Sequence, residues 1–190
     1  MVLLYSGAIA PNEVSNPTQS IGGFISNTPV PNGMINNLFS EITRLTLRQN
    51  VNEYKLVVLQ NTIGATVNNL KIWTEVQSSW FSLEIAVVEP VLDTSCNKYY
   101  FEQIPNISSP PYQATLTSHE GQNNAVNVGP FQNQKYLGIW VRRKLLQNRL
   151  DMFTQNQNNQ QCNDSSIQQL ETLIDNQLSQ ETFNLIFDWS

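Results

Sequence analysis

The chain has 190 residues, only 13% of them charged, and a formal net charge of −5 at pH 7. Soluble domains usually contain about 25% charged residues, and here 24 Asn and 18 Gln take the place of the missing charge. With 10 Lys and Arg in total, the chain lacks the basic clusters of a dedicated nucleic-acid-binding protein. It also has no apolar run of about 18 residues that would cross a membrane. An amide-rich surface is typical of a protein packed against neighbours, although a genome biased toward Asn codons would give the same composition.

Prolines and glycines interrupt residues 1–36. They are Pro11, Pro17, Pro29 and Pro31 with Gly7, Gly22, Gly23 and Gly33. Regular elements do not run far through such residues. The pattern predicts an extended N-terminal arm over residues 1–36, with short strand-like pieces at residues 2–5 and 23–25.

Residues 37–146 alternate between apolar and polar positions, which is typical of half-buried strands. The pattern predicts strands at residues 43–48, 54–60, 70–76, 81–87, 99–104, 114–118, 125–128 and 136–143. Residues 54–60 are almost continuously apolar, which favours a strand covered on both faces. Because no helical pattern separates the strands, we expect a mainly β protein with an antiparallel β-sandwich, Ig-like or jelly-roll-like.

The last zone, residues 147–190, has a different character. A polar linker at residues 155–163 precedes an amphipathic helix, which begins near Asp164 or Ser165 because either side chain can cap it. Residues 183–189 again alternate and predict a C-terminal strand.

Candidate catalytic residues are few. The single histidine, His119, lies in a turn-like stretch, and the two cysteines, Cys96 and Cys162, are far apart. A catalytic triad needs a base, and a zinc site needs about three ligands. We therefore expect no enzyme, with no catalytic, cofactor-binding or metal-binding residues, although carboxylates such as Glu75 and Glu84 leave a glycoside hydrolase conceivable.

Interface candidates come from the tryptophans and from one basic run. They are Trp73, Trp140, Arg142, Arg143 and Trp189. Tryptophan and arginine are frequent anchors at protein interfaces. In an acidic chain, we expect the arginines to contact an acidic partner surface rather than DNA. Trp73, on the more polar side of its strand, fits an interface pocket, a sugar-stacking platform or a cover for a second layer.

Two stretches carry a family resemblance: residues 52–62 with 68–75 (NEYKLVVLQNT, NNLKIWTE) and residues 135–144 (KYLGIWVRRK). In these the chain resembles virion structural proteins of tailed bacteriophages, in particular the crAss-like group. The resemblance implies a tail or head–tail connector ring subunit in the virion, assembled in the bacterial host cytoplasm. It also implies a homo-oligomeric ring of about twelve copies, with portal or neighbouring tail proteins as partners and without specific nucleic-acid binding or a membrane.

Two alternatives to the ring subunit stay open. One is an auxiliary capsid or head-fibre protein, which would form trimers or dimers. The other is a carbohydrate-binding β-sandwich module that uses Trp73, or Tyr99 and Tyr100, to stack on sugar rings.

Overall fold

Ten strands appear in the computed structural model, which describes residues 1–11, 13–32, 37–40, 42, 52–78, 80–146 and 182–190. The strands are β1 (Val2–Ala8), β2 (Gly23–Pro29), β3 (Glu53–Gln60), β4 (Val67–Gln77), β5 (Phe81–Val88), β6 (Val91–Asp93), β7 (Lys98–Phe101), β8 (Val126–Phe131), β9 (Tyr136–Leu145) and β10 (Thr182–Asp188). A single 3-10 turn, Gln122–Asn124, is the only helical element in these ranges.

The strands form two sheets in which every ladder is antiparallel. The larger sheet has the order β5-β9-β3-β1-β2-β7-β6, and the smaller one has the order β10-β4-β8. The sheets curl into a half-barrel that is consistent with a β-sandwich, so the predicted mainly β, antiparallel fold is confirmed.

The larger sheet is covered on both faces, and two apolar cores result. On one face Val57 and Leu59 of β3 pack toward Leu70 and Ile72 of the smaller sheet. The opposite face holds a second core, which includes Leu56, Val58, Ala86, Phe101 and Trp140. Successive residues of a strand point to opposite faces. The continuous apolar run of β3 therefore supplies both cores, as the sequence predicts for a strand covered twice.

A close contact between distant strands shapes the second core. Phe101 lies on β7, which is four places from β9 in the sheet order, yet it touches β9. A β-carbon on Gly138 of β9 would lie 2.4 Å from Cε1 of Phe101, so only glycine leaves room for the ring. The rings of Tyr99 on β7 and Tyr136 on β9 also lie side by side, with their centroids 6.2 Å apart. The larger sheet therefore bends over its own face.

Residues 1–36 differ from the expected extended arm. Strand β1 lies in the interior of the larger sheet, paired with β3 on one side and β2 on the other, and Leu4 is the register partner of Val58. The predicted pieces at residues 2–5 and 23–25 are real strands, longer than expected. The described part of this segment contributes two strands to the larger sheet, and the interpretation as an extended arm is corrected.

Four buried serines explain how a segment rich in turns becomes internal. Ser6, Ser15, Ser20 and Ser26 are each at most 3% exposed. The Ser6 hydroxyl donates to the Leu56 carbonyl at 3.0 Å, and the Ser20 hydroxyl donates to the same oxygen. Ser15 and Ser26 donate to carbonyls of β1. Buried polar groups must be hydrogen-bonded. These hydroxyls supply hydrogen bonds to backbone carbonyls at the point where β1 bends away from β3.

Smaller departures from the sequence predictions concern strand ends. The strand expected at residues 99–104 ends at Phe101, and residues 114–118 contribute only a bridge between Thr117 and Ile85. The short edge strand β6 was not predicted. The C-terminal strand is present as β10. The predicted strand at residues 43–48 and the predicted helix after residue 163 lie outside the described residues.

The Phe101–Gly138 contact predicts that Gly138→Ala lowers the free energy of unfolding by about 1–3 kcal/mol, because an added methyl group overpacks the core. Chemical denaturation of the wild type and the variant measures this loss. The control is the same substitution in a Phe101→Leu background, where the smaller side chain relieves the clash and the loss shrinks. An equal loss in both backgrounds would contradict the contact.

Candidate subunit interface

The two tryptophans proposed from the strand patterns are both inside the protein. Trp140 is 1% exposed and belongs to the second core, so its side chain is not available to a partner in this fold. Trp73 is 7% exposed, and its indole Nε1 donates to Glu75 at 3.3 Å. Neither ring is therefore a surface platform for a sugar or for another protein.

Both arginines of the basic run have partners within the chain. Arg142 pairs with Glu84, and their side chains are 23% and 15% exposed. Arg143 is buried, and its Nε donates to Glu53 at 2.8 Å. Its Nη1 donates to the Ser40 carbonyl at 2.8 Å. Burial lowers the pKa of Arg143, while the charge and hydrogen bonds of Glu53 raise it. The two arginines are therefore engaged within the sheet and do not form a basic patch.

Lys55 lies beside this buried ion pair and is 4% exposed. Its Nζ donates to the carbonyls of Pro17 and Thr18, in the loop between β1 and β2. Burial lowers the pKa of Lys55 from 10.5 to about 8; Glu53 raises it, and Arg143 lowers it further. The charge of Lys55 is thus unfavourable inside the protein, and its hydrogen bonds offset part of the penalty.

The remaining surface candidates are the edges of the sheets, where backbone groups can pair with another strand. The described strands leave four such edges, and two of them are obstructed. On β5, Ile85 exchanges two hydrogen bonds with Thr117, at 2.9 and 3.1 Å. Strand β8 contains Pro130, which has no N–H, and Gly129 at a φ of 77°. Proline and irregular backbone interrupt strand pairing.

The edge strand β6 is accessible but short. It begins after Pro90 and ends at Asp93. Val91 and Leu92 are 49% and 42% exposed. The following turn is held by Asp93, which accepts from the N–H of Ser95 at 2.8 Å, and the hydrogen bonds from Ser95 lower the pKa of Asp93. Three residues offer few backbone groups, so β6 on its own supports a small contact.

The edge strand β10 is long and regular. All seven of its residues pair with β4 in one uninterrupted register, from Thr182 opposite Gln77 to Asp188 opposite Lys71. The strand contains no proline, glycine, lysine or arginine. Among the described residues, β4 is its only strand partner. A long edge strand with a regular register and an apolar face readily accepts a further strand.

The direction of the backbone groups on β10 follows from its neighbour. Thr74, the register partner of Leu185, accepts from Gly121 at 3.0 Å and donates to His119 at 2.9 Å, away from β10. Thr74 and Leu185 are therefore a non-hydrogen-bonded pair, in which both residues turn their backbone groups away from each other. Ser190, which lies an odd number of residues from Leu185, points its backbone groups toward β4 instead. It exchanges two hydrogen bonds with Asn68, at 3.0 and 3.2 Å. Leu185 and its alternate neighbours thus direct their N–H and C=O groups outward from the edge.

An apolar row runs along the inner face of this edge. Its members are Phe183, Leu185, Phe187 and Trp189. The first three pack against the core between the sheets but stay partly exposed, and Phe183 meets the rings of Phe39 and Phe81. Trp189 directly follows the strand and is 44% exposed. Of the interface residues proposed from the sequence, Trp189 is the one that lies beside a sheet edge with no further partner among the described strands.

The residues considered for chemistry are dispersed or already occupied. His119 is half-buried, with its ring nitrogens 2.7 Å from Thr117 Oγ1 and from the Asn124 carbonyl. Cys96 is an exposed free thiol, and Cys162 lies outside the described residues. Within the described ranges, no three His, Cys, Asp or Glu side chains come together in a way that could hold a metal ion. Those ranges also contain no helix long and apolar enough to cross a membrane.

The tyrosines considered for sugar stacking pack against other rings. Tyr99 lies beside Tyr136, and Tyr100 meets Phe24 edge-on at 6.2 Å.

No protein-family model, no curated protein and no solved structure matches this chain.

The buried Glu53–Arg143 pair predicts that Glu53→Gln lowers the free energy of unfolding by about 3–5 kcal/mol, because Arg143 keeps its charge without an anion. Denaturant titration at pH 7 measures the loss. The double variant Glu53→Gln with Arg143→Met removes the stranded charge, and we expect it to be less destabilised than the single variant. Glu84→Gln, in the more exposed pair, is the matched control with a smaller loss. Equal losses in all three would exclude the proposed role of burial.

Lys55 predicts a pH dependence of stability. Between about 8 and 10.5 the unfolded chain binds more protons than the folded one, so the free energy of unfolding rises with pH in this window. Relative to Lys55→Met, the wild type should gain roughly 2–3 kcal/mol across it. Denaturation curves of both proteins at several pH values give this difference, in which the other titrating groups cancel. A difference that stays flat from pH 7 to 10.5 would show that Lys55 titrates normally.

Proposed function

We propose that this chain is a structural subunit of a bacteriophage virion, and that it acts by packing against neighbouring subunits rather than by catalysis. The observation that carries the proposal is the edge strand β10, seven residues long, whose outer side pairs with no other described strand and which is bordered by the half-exposed Trp189. Strand addition at an exposed edge is a common way for protein chains to bind each other.

The distribution of charge supports a packing role. The charged groups with the best-defined contacts, Glu53, Lys55 and Arg143, are buried and serve the fold. The surface is left with few charges and many amides, because only 13% of all residues are charged. Such a surface repels neighbouring copies weakly and can hydrogen-bond to them. A surface of this kind suits a subunit that packs closely against other subunits.

The form of the assembly follows from the resemblance noted in the sequence. A subunit of a tail or head–tail connector ring is the first form of the proposal, with portal or neighbouring tail proteins as partners. An auxiliary capsid or head-fibre protein is the second form. A ring of many copies requires each chain to contact its neighbours through at least two surface areas, and the edges of β6 and β10 are two accessible areas among the described residues.

The test is the mass of the purified chain, measured by sedimentation across a range of concentrations, alone and after mixing with virion proteins of its phage. The monomer mass is 21.6 kDa. We expect a complex with a defined copy number in at least one of these mixtures. Ring copy numbers support the connector form, and dimers or trimers support the auxiliary form. A chain that stays monomeric under every condition would overturn the proposal.

A further inference from the structure

We propose that β10 is a contact between two copies of this chain, in which the two β10 strands pair antiparallel about a two-fold axis at Ile186. This inference rests on the proposed role in assembly and specifies one of its interfaces. The contact would join two smaller sheets into one continuous six-stranded sheet, with β10 no longer at an edge.

The backbone of β10 permits this register. Leu185 turns its N–H and C=O outward, because its partner Thr74 forms its hydrogen bonds on the other side. The same holds for Phe183, Phe187 and Trp189, two residues apart. With Ile186 on the axis, Leu185 faces Phe187 of the second copy, and Phe183 faces its Trp189. These pairs exchange about eight backbone hydrogen bonds.

The side chains of the segment are chemically symmetric about Ile186. Stepping outward from it, the paired positions are Leu185 with Phe187, Asn184 with Asp188, Phe183 with Trp189, and Thr182 with Ser190. Each pair combines similar groups: two apolar, two polar, two aromatic and two hydroxyl side chains. A two-fold contact is self-complementary only if opposite positions suit each other, and this segment meets that condition.

The contact would bury mainly the side chains on the inner face of β10. The aromatic and aliphatic row remains partly exposed in the single chain, and Trp189 is 44% exposed. In this register the indole of Trp189 lies opposite Phe183 of the second copy and covers it. Aromatic pairs across strands are among the more stabilising cross-strand neighbours.

The outer face accounts for the choice of Ile186 as the centre. Ile186 is a half-buried apolar residue between exposed Asn184 and Asp188. On the axis it meets Ile186 of the second copy in a non-hydrogen-bonded pair, where side chains approach closely. Asn184 then faces Asp188 of the second copy, so its amide can donate to the carboxylate, and no like charges are opposed. A register centred on Leu185 would place Asn184 opposite Ile186 instead.

A two-fold contact closes on itself and yields a dimer. A larger ring therefore requires a second contact elsewhere, and the exposed Val91 and Leu92 of β6 provide an accessible edge for it.

A charge-swap experiment tests the axis on the full chain. Ile186→Lys and Ile186→Glu each place like charges opposite one another, and we expect each variant alone to sediment as a monomer. An equimolar mixture of the two should return to the dimer mass, because lysine then faces glutamate. Thr182→Lys is the control: it adds a charge to the same exposed face, four residues from the axis, and should keep the wild-type mass. Circular dichroism and thermal unfolding establish that every variant is folded.

The register has its own test. Asn184→Asp opposes Asp188 of the second copy at two symmetric positions, and we expect the dissociation constant to rise at least tenfold. Asn184→Lys faces the same carboxylates and should keep or strengthen the dimer. Equal effects of the two substitutions would exclude this register.

The outcomes separate this contact from the proposed function. If the wild type assembles and both Ile186 charge variants assemble equally well, the β10 contact is overturned and the structural role stands. The same conclusion follows if the variants dissociate but their mixture does not reassociate. If the wild type stays monomeric both alone and with virion proteins, the contact and the proposed function fail together.

Discussion

The contact between the ring of Phe101 and the backbone of Gly138 holds the larger sheet in its curved form. Seven strands in a flat sheet would leave the face that carries Leu56, Val58 and Trp140 open to water. Bending β7 over β9 covers that face with side chains of the same sheet, while the smaller sheet covers the other. A side chain at position 138 would separate the two strands. The second core therefore depends on a position where the sequence offers no side chain at all.

Local patterning predicts the elements well where the chain is regular. The apolar run of β3 and the alternation in β10 each specify a strand and the number of its faces that are covered. The pattern fails where long-range partners decide. Residues 1–36 resemble an arm because prolines and glycines divide them, but four serines supply the hydrogen bonds that let β1 enter the sheet. Nothing in the local sequence distinguishes a buried serine from a solvated one.

The candidate site was predicted only in part for the same reason. Trp73 and Arg143 have the residue types of interface anchors, yet both are buried, and Glu75 and Glu53 accept their hydrogen bonds. Trp189 is different because it follows an edge strand. Whether a strand is at an edge depends on sheet order, which alternation does not encode. The symmetry of residues 182–190 about Ile186 was present in the sequence, but it became meaningful only once β10 was placed at an edge.

The interior position of β1 has a consequence for biosynthesis. β1 and β2 are neighbours along the chain and can pair early, whereas β3 also needs β9, which is translated much later. Until then β3, the most completely buried of the described strands, has one unpaired edge. Non-local pairing of this kind slows folding and leaves partly folded intermediates whose exposed apolar surface can aggregate. The interval between the synthesis of β3 and that of β9 is therefore the period in which the growing chain is most prone to aggregate.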